Sequence, residues 1–118
     1  MKWIMAGVVA SLAAFSSVAN SDAQVAEGKM LYKAYCTQCH GINHDGQGVN
    51  VPALSVQPRD HTDTGEMTAR TDDELFEAIK FGGKSVNKSI LMPAWQGNMT
   101  DDQIHSLVAY LRELCCNK

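Results

Sequence analysis

Cys36-Thr37-Gln38-Cys39-His40 decides how the rest of this chain is read: two cysteines two residues apart, with a histidine directly after the second. On one tight helical turn, two thiols at this spacing reach the two vinyl groups of a single haem, and the next residue then lies under the iron. In this reading Cys36 and Cys39 are covalent thioether anchors and His40 is the proximal iron ligand. Cys-x-x-Cys also serves zinc half-sites and thioredoxin-like redox pairs. A zinc site needs a second ligand pair at finger-like spacing, yet the other two cysteines, Cys115 and Cys116, are adjacent near the end of the chain. A redox pair belongs in a βαβ pattern, and no strand-like alternation surrounds Cys36. Covalent attachment of one haem is the reading that remains.

Toward the N-terminus, Lys2 precedes an apolar run over residues 3–15 that ends in small residues, the layout of a secretory signal peptide. Cleavage after Ala19 and cleavage after Ala23 both fit. Counted as far as Ala19, the run is at the short edge of a bilayer span and is diluted by small residues, so a cleaved leader is expected rather than an anchor. Residues 1–23 are thus expected as leader and 24–118 as a single domain. Export agrees with the haem motif, because bacteria attach haem of this kind after secretion, and the bacterial periplasm is the expected location. A mature chain of about 95 residues is marginal as a polypeptide core alone. The apoprotein is therefore expected to be largely unfolded.

Downstream of the leader the apolar periodicity is helical. Val25, Gly28, Leu31, Tyr32 and Tyr35 recur every three or four residues and predict a helix over residues 23–35. Gly28 inside it costs about 1 kcal/mol relative to alanine, which suggests close approach of another helix. Thr71-Asp72-Asp73-Glu74 is a capping box that opens a short amphipathic helix ended by Gly82-Gly83. A second capping box, Thr100-Asp101-Asp102-Gln103, opens the last helix, with Ile104, Leu107, Val108, Leu111 and Leu114 on one stripe. Arg112 complements the negative end of its dipole. Strand signals are absent, so the predicted fold is all-α, with about three main helices and long loops around one haem.

The loops carry the remaining candidates. Residues 41–48 form a glycine-rich turn, so His44 reads as an exposed loop residue. Residues 49–67 are irregular and long for a structureless loop, which suggests wrapping of a ligand. His61, between Asp60 and Asp63, reads as solvated rather than as a second iron ligand. For the sixth iron position a thioether would raise the reduction potential relative to two histidines. Met30 is in the first helix on the proximal side, Met99 is a hydrophobic staple onto Ile104, and Met67 lies among charges. Met92 is preferred, because Pro93 fixes the backbone of its apolar loop and Trp95 covers the ring.

These features together resemble the class I bacterial cytochromes c, over essentially the whole mature length. The resemblance implies that Gly28 and Tyr32, eight and four residues before Cys36, pack against Leu107 and Tyr110 of the last helix. It implies that the carbonyl of Pro52 accepts the ring N–H of His40, which would fix that ring. Met92-Pro93-Ala94-Trp95 is similar to the family's axial-methionine loop, and Gly46-Gln47-Gly48 to its glycine-rich turn. Arg59 is expected to pair with a haem propionate. The Cys115-Cys116 pair departs from the family pattern, and both a frayed tail and a disulfide-linked dimer are open.

With His40 and Met92 filling both axial positions, no open site remains for a substrate, and no general base or nucleophile is evident. The expected role is that of a periplasmic carrier of single electrons between redox partner proteins, not an enzyme. Nucleic acid and a membrane span in the mature chain are not expected. The whole chain carries a formal charge of -3, yet Lys80, Lys84 and Lys88 fall in residues 79–92 with no acid among them. That patch would steer an acidic partner. Two other readings stay open: an electron-transfer subunit of a larger periplasmic oxidoreductase, and a haem-based gas sensor in which the Met92 bond is displaced.

Overall fold

A computed structural model describes residues 21–117, and most of the leader expected over residues 1–23 lies outside them. The hydroxyl of Ser21 accepts the backbone N–H of Gln24 at 3.2 Å and starts α1, Asp22–Tyr35. After a break at Cys36, α2, Thr37–His40, carries the motif. The other helices are α3, Thr64–Thr68, α4, Asp72–Phe81, and α5, Asp101–Cys115, with 3-10 turns at Val51–Ala53 and Gly83–Val86. Among the described residues no strand forms beyond one isolated bridge between Gln96 and Met99. The fold is all-α, and both capping boxes close as their spacing predicts. No helix of the described residues is long and apolar enough to cross a membrane.

The core forms where α1 crosses α5. A methyl group on Gly28 would collide with the carbonyl of Ser106 and come within 2.8 Å of the Cβ of Tyr110. Only glycine lets the two backbones meet there. One turn on, Tyr32 packs edge-on against Tyr110 with ring centroids 5.5 Å apart. Ile104, Leu107, Val108 and Leu111 of α5 join Tyr32, Leu75 and Ile79 in one buried cluster. Full burial of each aliphatic side chain there stabilises the fold by about 1.5–3 kcal/mol.

Three features differ from the expectations above. First, α3 forms across the end of the stretch read as irregular. Asp63 accepts the N–H of Glu66 at 2.9 Å as its cap, and Met67 is its fully buried anchor. Second, Arg112 does more than offset a dipole. Its guanidinium bonds Asp72 at 2.7 Å, the carbonyl of Met67 at 2.7 Å and the carbonyl of Arg70, clamping α3 and α4 to α5. Third, Cys115 and Cys116 are bonded to each other, which corrects both the frayed tail and the intermolecular link. Cys115 is buried in the core, and its carbonyl accepts the Thr64 hydroxyl at 2.6 Å, so the end of α5 is held in place.

Candidate functional site

Cys36, Cys39 and His40 sit on one turn because the N–H of His40 reaches the carbonyl of Cys36 at 2.9 Å. The chain after His40 then folds back along α2. Gly46 donates to the carbonyl of His40, Gly48 to that of Cys39 and Asn50 to that of Gln38, at 2.9–3.0 Å. These bonds occupy the carbonyls that the end of a helix leaves unpaired. Gly48 has no room for a side chain against Gln38, which explains one glycine of the Gly46-Gln47-Gly48 turn.

The two thiols are free and half-buried. Burial, with the neighbouring Cys39 adding to it, pushes the Cys36 thiol up to about 12. A redox-active or metal-binding cysteine shows the opposite, a thiol lowered toward neutral pH. Among the described residues no cluster of three or more His, Cys, Asp or Glu is arranged to hold a metal ion on its own. Among the described residues, then, the two thiols lack the further ligands that a zinc site needs.

The His40 ring is aimed by its Nδ1, which lies 3.2 Å from the main-chain carbonyl of Arg59. A carbonyl only accepts, so Nδ1 carries the proton and Nε2 keeps its lone pair. Burial also lowers the pKa of the ring, which keeps the imidazole neutral. A neutral ring with a free Nε2 is the form that ligates iron, so the donor set fits a haem. The acceptor expected from the family resemblance was the carbonyl of Pro52. Pro52 instead lies exposed in the 3-10 turn Val51–Ala53, and the Gln57 side chain bonds the Gly46 carbonyl, which brings Pro58 and Arg59 back toward α2. The guanidinium of Arg59, expected on a propionate, is paired with Glu66 at 2.8 Å.

Both loop histidines differ from their sequence reading. His61 is buried rather than solvated, at 8% exposure. Its ring stacks on that of His40, centroids 4.2 Å apart and planes 20° from parallel. Its Nδ1 is 2.9 Å from the Tyr32 hydroxyl. Burial, with His40 and Arg59 beside it, holds its pKa well below the ordinary histidine value. A ring lying flat on His40 is packed against that ring rather than across the motif turn from it. The flanking acids that suggested solvent are used elsewhere, Asp63 in capping α3 and Asp60 in binding Thr62. His44 adopts a left-handed backbone, φ 64°, and is half-buried with Nε2 2.9 Å from the Tyr110 hydroxyl. Neither partner is near in sequence, so no local signal pointed to these contacts.

The loop after α4 carries Met92. The N–H of Gly83 donates to the carbonyl of Met92 at 3.1 Å, and Trp95 and Gln96 donate to the carbonyls of Ile79 and Lys80. The loop is thus tied to the end of α4. Met92 and Trp95 pack half-buried against the core, and the Trp95 ring meets that of Tyr35 at 5.3 Å. The other methionines sort by exposure. Met30 faces solvent, while Met67 and Met99 are enclosed in the core. The expected basic patch is smaller than its sequence suggests, because Asp101 pairs with Lys80 at 3.0 Å. Lys84 and Lys88 remain as its exposed members.

Comparison with known proteins agrees with this geometry. Residues 23–111 match the family model described as cytochrome c oxidase, cbb3-type, subunit III. The quinohemoprotein alcohol dehydrogenase ADH-IIG of Pseudomonas putida is 28% identical over 80% of this chain, and this chain spans 11% of that protein's length. Among solved structures, cytochrome cL of Methylophaga aminisulfidivorans superposes with a TM-score of 0.60 and 26% identity, over 81% of this chain and 56% of that one. The KustC0563 c-type cytochrome superposes with a TM-score of 0.61 and 20% identity, over 75% of this chain and 96% of that one, and so shares the fold. The chain belongs to this family, as a class I c-type cytochrome with one covalently bound haem c and a role in electron transfer.

Proposed function

We propose that this protein is a periplasmic single-haem carrier that passes one electron at a time between redox partner proteins. When bound, the haem supplies the one-electron Fe(III)/Fe(II) couple. Cys36 and Cys39 would hold it as thioethers, His40 would ligate the iron through Nε2, and Met92 would supply the second side-chain ligand. The observation that carries the reading is the His40 ring, neutral, with its proton committed to the Arg59 carbonyl. Trp95 would cover the ring beside Met92, the Arg59 carbonyl holds His40, and Pro52 lies in the 3-10 turn that follows the motif. Two side-chain ligands leave no coordination position for a substrate, which makes the chain a carrier and not an enzyme. The leader is removed after Ala19 in this reading, because cleavage after Ala23 would strip Ser21 and Asp22 from the start of α1.

One observation favours a second reading. A relative is a quinohemoprotein dehydrogenase of which this chain matches only 11%, so the domain also suits an electron-transfer subunit docked on a separate catalytic chain. Isolation in a stable stoichiometric complex would favour it over a free carrier.

The deciding experiment is the absorption spectrum of the oxidised holoprotein. The weak far-red band of a ferric iron–methionine sulfur bond is expected, and is expected to vanish in Met92→Ala. A band that persists in that variant removes Met92 as the ligand. A high-spin spectrum, or rapid carbon monoxide binding by the ferrous protein, would move the assignment to a gas sensor.

A further inference from the structure

We infer that His61 is a positioning residue that, braced by Tyr32, sets the orientation of the His40 ring and keeps water off its face. The inference rests on His40 as the iron ligand.

One hydrogen bond to the Arg59 carbonyl restrains His40 at a single point and leaves the ring able to swing about it. A second flat ring 4.2 Å away and nearly parallel removes that freedom. His61 can serve as a stop because it is itself held at two points. Its backbone N–H donates to the carbonyl of His44 at 2.8 Å, and its Nδ1 meets the Tyr32 hydroxyl at 2.9 Å. Tyr32 in turn is 2% exposed and wedged edge-on against Tyr110 of α5. Contacts therefore run without a gap from the α1–α5 crossing, through Tyr32 and His61, to the ligand. The residue type follows from the two demands on it. A flat ring is needed against His40, and a ring nitrogen is needed for a hydroxyl that would otherwise be buried unpaired. Partners of this kind tune a ligating imidazole through orientation, and the shell that excludes water tunes the potential.

The test uses the holoprotein and three variants, His61→Ala, His61→Phe and Tyr32→Phe. Two quantities are read: the pattern of hyperfine-shifted haem methyl resonances in the ferric protein, which reports the azimuth of the axial ligand planes, and the midpoint potential. His61→Ala is expected to change the methyl pattern and to lower the potential, because water beside the ligand favours the more highly charged ferric state. His61→Phe restores the flat contact and is expected to return both readouts most of the way. Tyr32→Phe keeps every ring and loses one hydrogen bond, so a smaller change in the same direction is expected.

A native pattern and potential in His61→Ala overturn the inference. So does a His61→Phe variant as perturbed as His61→Ala, since the stacked ring would then not be the agent. If the alanine variant does not accumulate, unchanged readouts in Tyr32→Phe overturn it. Absence of a covalent haem spectrum, or of low-spin ligation through His40, in the unsubstituted protein would instead overturn the proposed function.

Discussion

Gly28 in α1 lies against the backbone carbonyl of Ser106 in α5, with no space between them for a methyl group. The contact is reinforced where the Ser106 hydroxyl donates to Glu27 at 2.6 Å. Alanine at position 28 gains about 1 kcal/mol of helix propensity but forces the helices apart, and overpacking of this kind costs about 1–3 kcal/mol or more. Because the clash is with backbone, the cost falls in the upper part of that range, and Gly28→Ala is expected to destabilise the holoprotein by about 1–2 kcal/mol net in denaturant titration. Unchanged stability would mean that the crossing relaxes freely.

Arg112 ties three segments together, and its partners differ in worth. Asp72 is mostly exposed, so Asp72→Asn should cost less than about 1 kcal/mol. The carbonyls of Met67 and Arg70 lose a charged donor in Arg112→Ala, for which a loss of about 2–3 kcal/mol is expected. Equal losses in the two variants would show that the ion pair, not the carbonyl contacts, holds the clamp.

Lys84 and Lys88 are exposed and Lys80 is paired with Asp101. Oxidation of the ferrous protein by hexacyanoferrate(III), a small anion, should therefore slow about threefold to tenfold at low salt in Lys84→Gln/Lys88→Gln. Lys80→Gln should have little effect, and added salt should erase the difference. A uniform response to all three lysines would mean that only total charge matters.

The haem is expected to be part of the fold. A Cys36→Ser/Cys39→Ser chain, exported without covalent haem, should show no cooperative thermal transition, because a domain of about 95 residues has a marginal core of its own. A sharp transition followed by circular dichroism would show that the α1–α5 crossing and its neighbours suffice.

How much was legible in the sequence depended on the range of the interactions. The haem motif, both capping boxes and the helical stripe of α5 are defined by residues within one or two turns of each other, so their spacing determined the all-α fold and the one-turn geometry of the motif. Gly28, too, was recognisable as a costly residue in a helix interior, although its contact at Ser106 is far along the chain. The short helix α3 was missed because its signal, Asp63 before Glu66, is a single turn without an apolar stripe.

What the sequence by itself determined, then, is the three longer helices and the turn that carries the motif, since these rest on bonds between residues i and i+3 or i+4. Tertiary structure alone decided that Arg59 rather than Pro52 faces the His40 nitrogen, that His61 and His44 turn inward onto Tyr32 and Tyr110, that Asp101 answers Lys80, and that Cys115 is buried in the core with Cys116 half-buried beside it. The first three groups lie 19 to 66 residues apart. Which acceptor a ring finds at that separation depends on how the loops fold back onto α2, and on how closely Gly28 lets α1 approach α5. The cysteines are neighbours, but their burial depends on where the end of α5 is held. No local pattern encodes those distances.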